Sequence, residues 1–347
     1  MKFLILSDQG QYLPIALKLQ LEKHDVSLYI IDHSYRNIGQ GLVPTVDSYL
    51  DLSPDITIID SSKSYQFSKK AKGKIFGVSE FFDTITKNKK YFEQICALIG
   101  LEHNANGFPD HSIESWFTGE KFTLPVIHHK YYSELMSGCA GDRVQIGHMG
   151  VQSYAVYQFG EYFSKLSDIL SKLEYRGPVR LGISKERVCR IDNRLTTPTL
   201  FELLDIPLSK LIDDTVSGRL RYLKCNRDKA LAIRISTPPF PYCPKFFWGW
   251  NYYKLNGVKL FEYNESQVRH MWLQGVYKEH TKIVSSGHSG DVGYVTSRGL
   301  TLNECMRRAY RTIDKLNIPN MQYRNDIGLD VNLKTIINYL SRQEKRA

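Results

Sequence analysis

The sequence lacks the usual signs of a metal-held or disulfide-held fold. Its six cysteines (Cys96, Cys139, Cys189, Cys225, Cys243, Cys305) are scattered, with no CxxC pair and no zinc-type spacing. That pattern excludes a zinc ribbon and reads as reduced thiols. The histidines form no metal set: His128 and His129 are neighbours, hence on opposite faces of a strand, and His280 and His288 are isolated. No apolar run approaches the ~20 residues that span a bilayer, so no membrane partner is expected. Phe3–Leu6 is too short for a signal-peptide core, and a cytoplasmic location is expected. No local Ser-His-Asp or Cys-His signature is present. The glycine-rich dinucleotide fingerprint is also missing, since the first apolar run is followed by Ser7-Asp8-Gln9-Gly10. There is no internal repeat and no low-complexity segment.

What is present is an ordinary globular composition, 42% hydrophobic and 24% charged, over 347 residues. That length exceeds what a single core of roughly 250–300 residues accommodates, so two or three units are expected. The formal charge of +10 favours an anionic partner, such as a nucleotide, a sugar phosphate or nucleic acid. The Lys and Arg residues are spread along the chain, as in any basic surface. Periodicity predicts strands at Phe3–Leu6, Val26–Ile31, Asp55–Asp60 and Lys74–Gly77, and a helix over Leu13–Leu21. Short apolar strands alternating with helices imply a parallel sheet. A helix over Phe81–Ile99 follows, with Gly100 at its C-cap. Strand-like IESWFTGEKFTLPVI turns at Gly119, and glycine-rich Ser137–Gly150 reads as a loop. Then come a helix over Phe159–Leu173 and strands at Val179–Ser184 and Arg187–Ile191. A β-rich end (ALAIRIS, VKLFEY) is closed by a helix over Asn303–Leu316.

In order along the chain, KIFGVSEFFDTITKNKKYF, IESWFTGEKFT, GDRVQIGHMGVQSY and LEYRGPVRLGISKERVCRIDNRLTTP each resemble stretches of the phosphoribosylamine–glycine ligase family, of the ATP-grasp superfamily. So do VKLFEY, VSSG, VTSRGLTLNECMRRAYRTIDKL and YRNDIG near the end. The collinear order carries the resemblance rather than any one segment. It implies a carboxylate–amine ligase of purine biosynthesis. Glycine's carboxylate is activated by ATP as an acyl phosphate and joined to the amine of a phosphosugar. The resemblance places Lys89, Glu114 and the backbone of Ser115, Trp116 and Phe117 at the nucleotide. It places Arg194 at the glycine carboxylate, where a guanidinium fork suits a carboxylate. Gly147, His148, Met149 and Gly150 become a substrate loop whose N–H groups could hold an anion. Ser285, Ser286, Gly287, Arg324 and Asp326 fall at the ribose phosphate. Each has a plainer reading. Lys89 lies among Lys87 and Lys90 on a solvated helix face, Glu114 in an ordinary strand, the glycines in a tight turn, and Arg194 in a surface ion pair.

Two departures bear on ATP and Mg²⁺. The family's lid, with its KxxGxxxGKG-type segment, has no counterpart, and only Leu101–Ser112 occupies that interval. The lid holds phosphates in line and excludes water. The family's metal carboxylate and amide align with Arg190 and Asp192, and an arginine cannot ligate Mg²⁺, which leaves Asp192 as the one candidate ligand. The expectation is thus an α/β protein in three parts. Residues 1–100 form a parallel-sheet, pre-ATP-grasp-like domain, residues 101–225 an ATP-grasp-like α+β domain without its lid, and residues 226–347 a small β-rich cap. Its catalytic residues would be Arg194 and Asp192. Its partners would be glycine or another amino acid and a phosphosugar amine. One alternative is a lid-less binder of a phosphosugar or nucleotide that does not use ATP. Another is an enzyme attaching an amino acid to a modified nucleotide in DNA, with the aromatics of FFWGWNYY at 246–253 available to stack bases. Oligomeric state is not readable.

Overall fold

The computed structural model describes residues 1–135, 143–153, 159–185, 187–226, 228–238, 240, 256–288 and 290–329. The aromatic run at 246–253 lies outside them. Strands β1 (Lys2–Ser7), β2 (Asp25–Ile30), β3 (Ile56–Asp60) and β4 (Lys74–Phe76) form a parallel sheet in the order β2-β1-β3-β4. Helices α1 (Leu13–Leu21) and α2 (Ser64–Ser68) connect its strands. The helix expected over Phe81–Ile99 is two helices, α3 (Glu80–Lys87) and α4 (Lys89–Leu98). Asn88 breaks them: its backbone is extended (φ −109°, ψ 100°) and its side chain caps α4 by accepting from Tyr91 N at 3.0 Å. Gly100 adopts φ +66° past the helix end, as its position suggested.

From α4 the chain reaches β5 (His111–Phe117) through a stretch with no helix or strand of its own. Strands β6 (Val126–Leu135) and β7 (Arg143–Ser153) follow, then α5 (Phe159–Lys172), β8 (Gly177–Ser184) and β9 (Arg187–Asp192). Next come α6 (Pro198–Leu203), α7 (Leu208–Val216), β10 (Lys229–Ser236), β11 (Lys259–Glu262) and α8 (Glu265–Val268). The described chain closes with β12 (Met271–Leu273), β13 (Val276–Glu279), β14 (Lys282–Ser285), β15 (Asp291–Gly299) and α9 (Leu302–Ile313). Eight strands make one antiparallel sheet, β12-β15-β10-β7-β6-β5-β8-β9, and β11-β14-β13 make a small separate one.

Two sequence expectations change here. The glycine-rich stretch ending at Gly150 is not a loop over Gly147–Gly150. These residues lie inside β7, paired with β6 on one side and β10 on the other. The boundary placed between residues 225 and 226 is crossed by one sheet, because β10 pairs directly with β7. The β7–β10 pairing joins residues about 80 positions apart, which no local pattern encodes. Among the described residues no helix is long and apolar enough to cross a membrane. One core joins the two sheets: Phe3, Leu13, Leu200, Leu231 and Leu273 belong to a single buried apolar cluster.

Candidate functional site: an arginine-lined cleft

Side chains of a strand alternate between faces, so the pairing register fixes which residues share a surface. Arg180 lies opposite both Asp192 on β9 and Glu114 on β5. Gly182 lies opposite Arg190 and Ser112, and Ser112 opposite His129. Tyr131 lies opposite His148, and Arg234 opposite Tyr294. These residues occupy one face of the large sheet. Over them opens a cleft of about 410 Å³ whose wall includes Arg180, Arg190, Asp192, Arg194, Arg234 and Tyr294. Four arginines stand in the wall of one cleft, with the carboxylate of Asp192 among them.

Asp192 is the hub of its basic side. Its carboxylate is 1% exposed and accepts from Arg180 Nη2 at 2.8 and 3.1 Å, and from Arg190 Nε at 2.9 Å. Arg180 also donates to Thr197 Oγ1 at 2.5 Å and Thr196 Oγ1 at 3.0 Å. Burial alone would raise the Asp192 pKa. The guanidiniums of Arg180 and Arg190 outweigh it and hold the carboxyl below its usual range. This donor set does not fit Mg²⁺. Both oxygens of Asp192 are engaged by guanidiniums, and a third cation, Arg194, bears on the same carboxylate. Among the described residues no group of three or more His, Cys, Asp or Glu could hold a metal ion. Asp192 therefore serves as an arginine-orienting carboxylate, and the metal role expected for it is set aside.

Arg194 differs from its neighbours. Its backbone N–H points to Asp192 Oδ1 at 3.3 Å, but its guanidinium has no hydrogen bond or ion pair among the described residues. It also lines a narrow recess with Tyr12, Ser61, Ser64 and Asp83, beside the carboxyl end of β3. In that sheet order β1 and β3 are adjacent while their connections leave in opposite directions, the usual crevice position in open α/β sheets. Asp60, at the end of β3, has its pKa pushed up to about 6 by burial, with Arg194 opposing the shift. Arg194 thus stands where the two sheets meet, its charge felt by Asp60 and Asp192 but its guanidinium hydrogen-bonded to neither.

Across the cleft, Arg234 is committed. It pairs with Asp291 through both Nε and Nη2, and donates to Gln145 O at 2.9 Å and Tyr294 OH at 3.0 Å. Beneath the cleft lie neutral imidazoles. His148 is 2% exposed, meets Tyr131 and Tyr294 edge-on at 5.0 Å, and has no hydrogen-bond partner for either ring nitrogen among the described residues. Burial holds its pKa well below the ordinary value, and His129, Arg180 and Arg234 add to that. His129 Nε2 lies 3.4 Å from Glu114 Oε2, at the outer limit of hydrogen bonding, and among the described residues the carboxylate has no well-formed hydrogen bond.

Of the residues singled out in the sequence, the cleft gathers Arg194 and Asp192. Glu114, Trp116 and Phe117 are fully buried and do not line it: Glu114 faces His129 and Trp116 packs on Phe76. Lys89 sits on the outer surface, where Nζ donates to Asn106 Oδ1 at 2.7 Å and lies 4.0 Å from Glu93. In β7, His148 lies under the cleft while Gly147 and Met149 project to the other face. Gly150 receives α6: a Cβ there would stand 2.9 Å from Thr199 Cβ. Gly287, with φ +84°, and buried Ser286 meet the first domain at Asn37, whose Nδ2 donates to Ser286 O at 3.1 Å. Arg324 pairs with Asp326. These three groups do not converge on the cleft. Sequence reasoning passed over Arg180 and Arg234. A signal existed for the first side: Arg190 and Asp192 stand two positions apart in a strand, so their side chains share a face, and Arg194 follows just past the strand end.

No protein-family model matches the chain, and no curated protein matches it in sequence. Solved structures match it in fold. A phosphoribosylamine–glycine ligase from Thermotoga maritima is 16% identical with a TM-score of 0.67, covering 94% of this chain and all of that one. The biotin carboxylase subunit of pyruvate carboxylase is 8% identical with a TM-score of 0.60, covering 96% and 95%. A phosphoribosylglycinamide synthetase from Anaerococcus prevotii is 11% identical with a TM-score of 0.58, covering 92% and 99%. The chain thus has the α/β fold of the ATP-grasp proteins over nearly its whole length.

Proposed function

We propose that the protein holds a phosphate- or carboxylate-bearing small molecule, of the phosphosugar or nucleotide class, in the arginine-lined cleft, without Mg²⁺–ATP chemistry on Asp192. The observation that carries this reading is the uncommitted Arg194 guanidinium on the cleft wall. Beside it, Asp192 fixes Arg180 and Arg190 in place. A preoriented cationic cluster binds an anion without first losing side-chain freedom. The stretch between α4 and β5, with no helix or strand of its own, supports the same reading, since phosphoryl transfer needs a cover that excludes water. A second reading, carboxylate–amine ligation with glycine or another amino acid as the acid, is favoured by the likeness in fold to solved ligases. In that reading Arg194 receives the acid's carboxylate. A cytoplasmic setting goes with either reading.

Calorimetry with ribose 5-phosphate, paired with ADP release from Mg²⁺-ATP, glycine and phosphoribosylamine generated in situ, separates the two. The proposal expects ribose phosphate binding that weakens about tenfold or more in Arg194→Ala, with no ADP release above background. ADP release requiring both substrates, and lost in Arg194→Ala, establishes the ligase instead. Binding unaffected by Arg194→Ala refutes the cleft as the site.

A further inference from the structure

Beyond α6, near the edge strand β12, the large sheet carries a second pair of recesses. Two cavities of about 300 Å³ each adjoin at Glu202 and Thr296, and neither shares a lining residue with the arginine cleft. The first mixes apolar and charged groups: Leu17 and Leu21 of α1, Phe201 of α6, and Met271 and Trp272 of β12 stand beside Lys18, Glu22 and Arg269. The Phe201 and Trp272 rings pack on each other at one end of the recess, 4.6 Å apart at 34°, with Lys18 Nζ 5.8 Å from the Phe201 ring centre. Trp272 is 4% exposed, and its indole N–H has no acceptor among the described residues.

The second recess is cationic, with Arg298, Arg308 and Arg311 in its wall. Arg308 is engaged by Glu304 and by the Arg298 carbonyl. The guanidiniums of Arg298 and Arg311 have no hydrogen bond or ion pair among the described residues. Between the recesses stands Glu202, whose Oε1 accepts from Thr296 Oγ1 at 2.6 Å while no donor reaches its second oxygen among the described residues.

The order of chemistry along this groove is specific: an aromatic pair, then a carboxylate acceptor, then paired guanidiniums. A ring lies flat on aromatic side chains, a carboxylate accepts from hydroxyls, and guanidiniums fork onto phosphate oxygens. We infer that the groove is a binding site for a nucleoside phosphate, separate from the cleft. The base rests against Phe201 and Trp272, a ribose hydroxyl donates to Glu202, and the phosphate meets Arg298 and Arg311. Its size falls within the range of small-molecule pockets, about 300–1,000 Å³.

The test is calorimetric titration of the full chain with adenosine 5′-monophosphate, and separately with adenosine and with inorganic phosphate. The titrations are repeated on Arg298→Ala, Arg311→Ala and, as the cleft control, Arg194→Ala. Both groove arginines are exposed, so their removal leaves the packing intact. The nucleotide is expected to bind more tightly than either half. The groove's own binding step should weaken about tenfold or more in each groove variant and persist in Arg194→Ala, which removes only a step that belongs to the cleft. Loss in Arg194→Ala with the groove variants unaffected overturns the inference and places the nucleotide in the cleft. Absence of binding to the unaltered chain overturns it as well.

Discussion

At the scale of single residues, the ion pairs of the cleft differ in what they contribute. Exposed pairs such as Arg269–Glu265 and Lys282–Glu262 contribute little, because water screens them. Arg180 and Asp192 are different, since both are buried and each is the other's main compensation. Removing one partner leaves a charge without its counter-ion, which costs about 3–5 kcal/mol in measured buried pairs. Arg190 remains beside Asp192 but is half exposed and forms a weaker partner. Arg180→Ala is therefore expected to lower the urea midpoint by an amount near the lower end of that range. A drop no larger than that of Arg269→Ala would show that Arg190 alone suffices. The pair was not legible in the sequence because its members lie on separate strands. The same-facing positions of Arg190 and Asp192 were legible because the strand period is two, but that period says nothing about which neighbouring strand supplies Arg180.

Between elements, the glycines of β7 show how one residue type serves two ends. In the sequence, Gly-His-Met-Gly suggested a loop that cradles an anion. In the fold, Gly150 lets α6 approach the sheet, and Thr199 of α6 meets His129 Nδ1 at 3.1 Å. A Cβ at Gly150 would press on Thr199 Cβ at 2.9 Å and on its Oγ1 at 3.0 Å, so α6 must shift. Overpacking of this kind typically costs about 1–3 kcal/mol. Gly150→Ala is expected to lower thermal stability on that scale. It should also weaken ligand binding in the cleft, because Thr197, at the start of α6, helps hold Arg180. A variant with wild-type melting temperature would mean α6 yields freely. The elements themselves were readable wherever local period decides. Leu13–Leu21 matches α1, and the expected strands of the first domain match β1 to β4 within a residue or two. Asn88 was the exception, because a cap reads like any polar helix position until its neighbour's N–H is seen to point at it.

Across the whole molecule, buried titratable groups set a pH response that no one element explains. Burial lowers the pKa of His128 to about 4, and lowers those of His129 and His148. In each case the unfolded chain binds a proton at higher pH than the folded one. Their contribution is complete above about pH 6.5 and is lost as pH falls toward the folded pKa. For His128 alone, the span from 6.5 to about 4 corresponds to about 3 kcal/mol. Asp60 acts in the opposite sense. Its pKa rises to about 6, so its folded form is favoured when protonated, and that advantage fades as pH rises from about 4 to 6. Burial also lowers the pKa values of His111 and His288 and raises that of Asp83, so among the described residues five imidazoles oppose two carboxyls and the net expectation is falling stability as pH drops from 6.5 toward 4. Asp60→Asn removes one of the two opposing carboxyls and should steepen the decline, while His128→Phe should flatten it. Urea midpoints measured across this interval decide the matter. A profile flat from pH 7 to 4 would mean the imidazoles gain compensating partners when charged. A decline that Asp60→Asn leaves unchanged would mean Arg194 keeps that carboxylate ionised in the fold. The second outcome bears on function, because an Arg194 bound to Asp60 is no longer free for a ligand in the cleft.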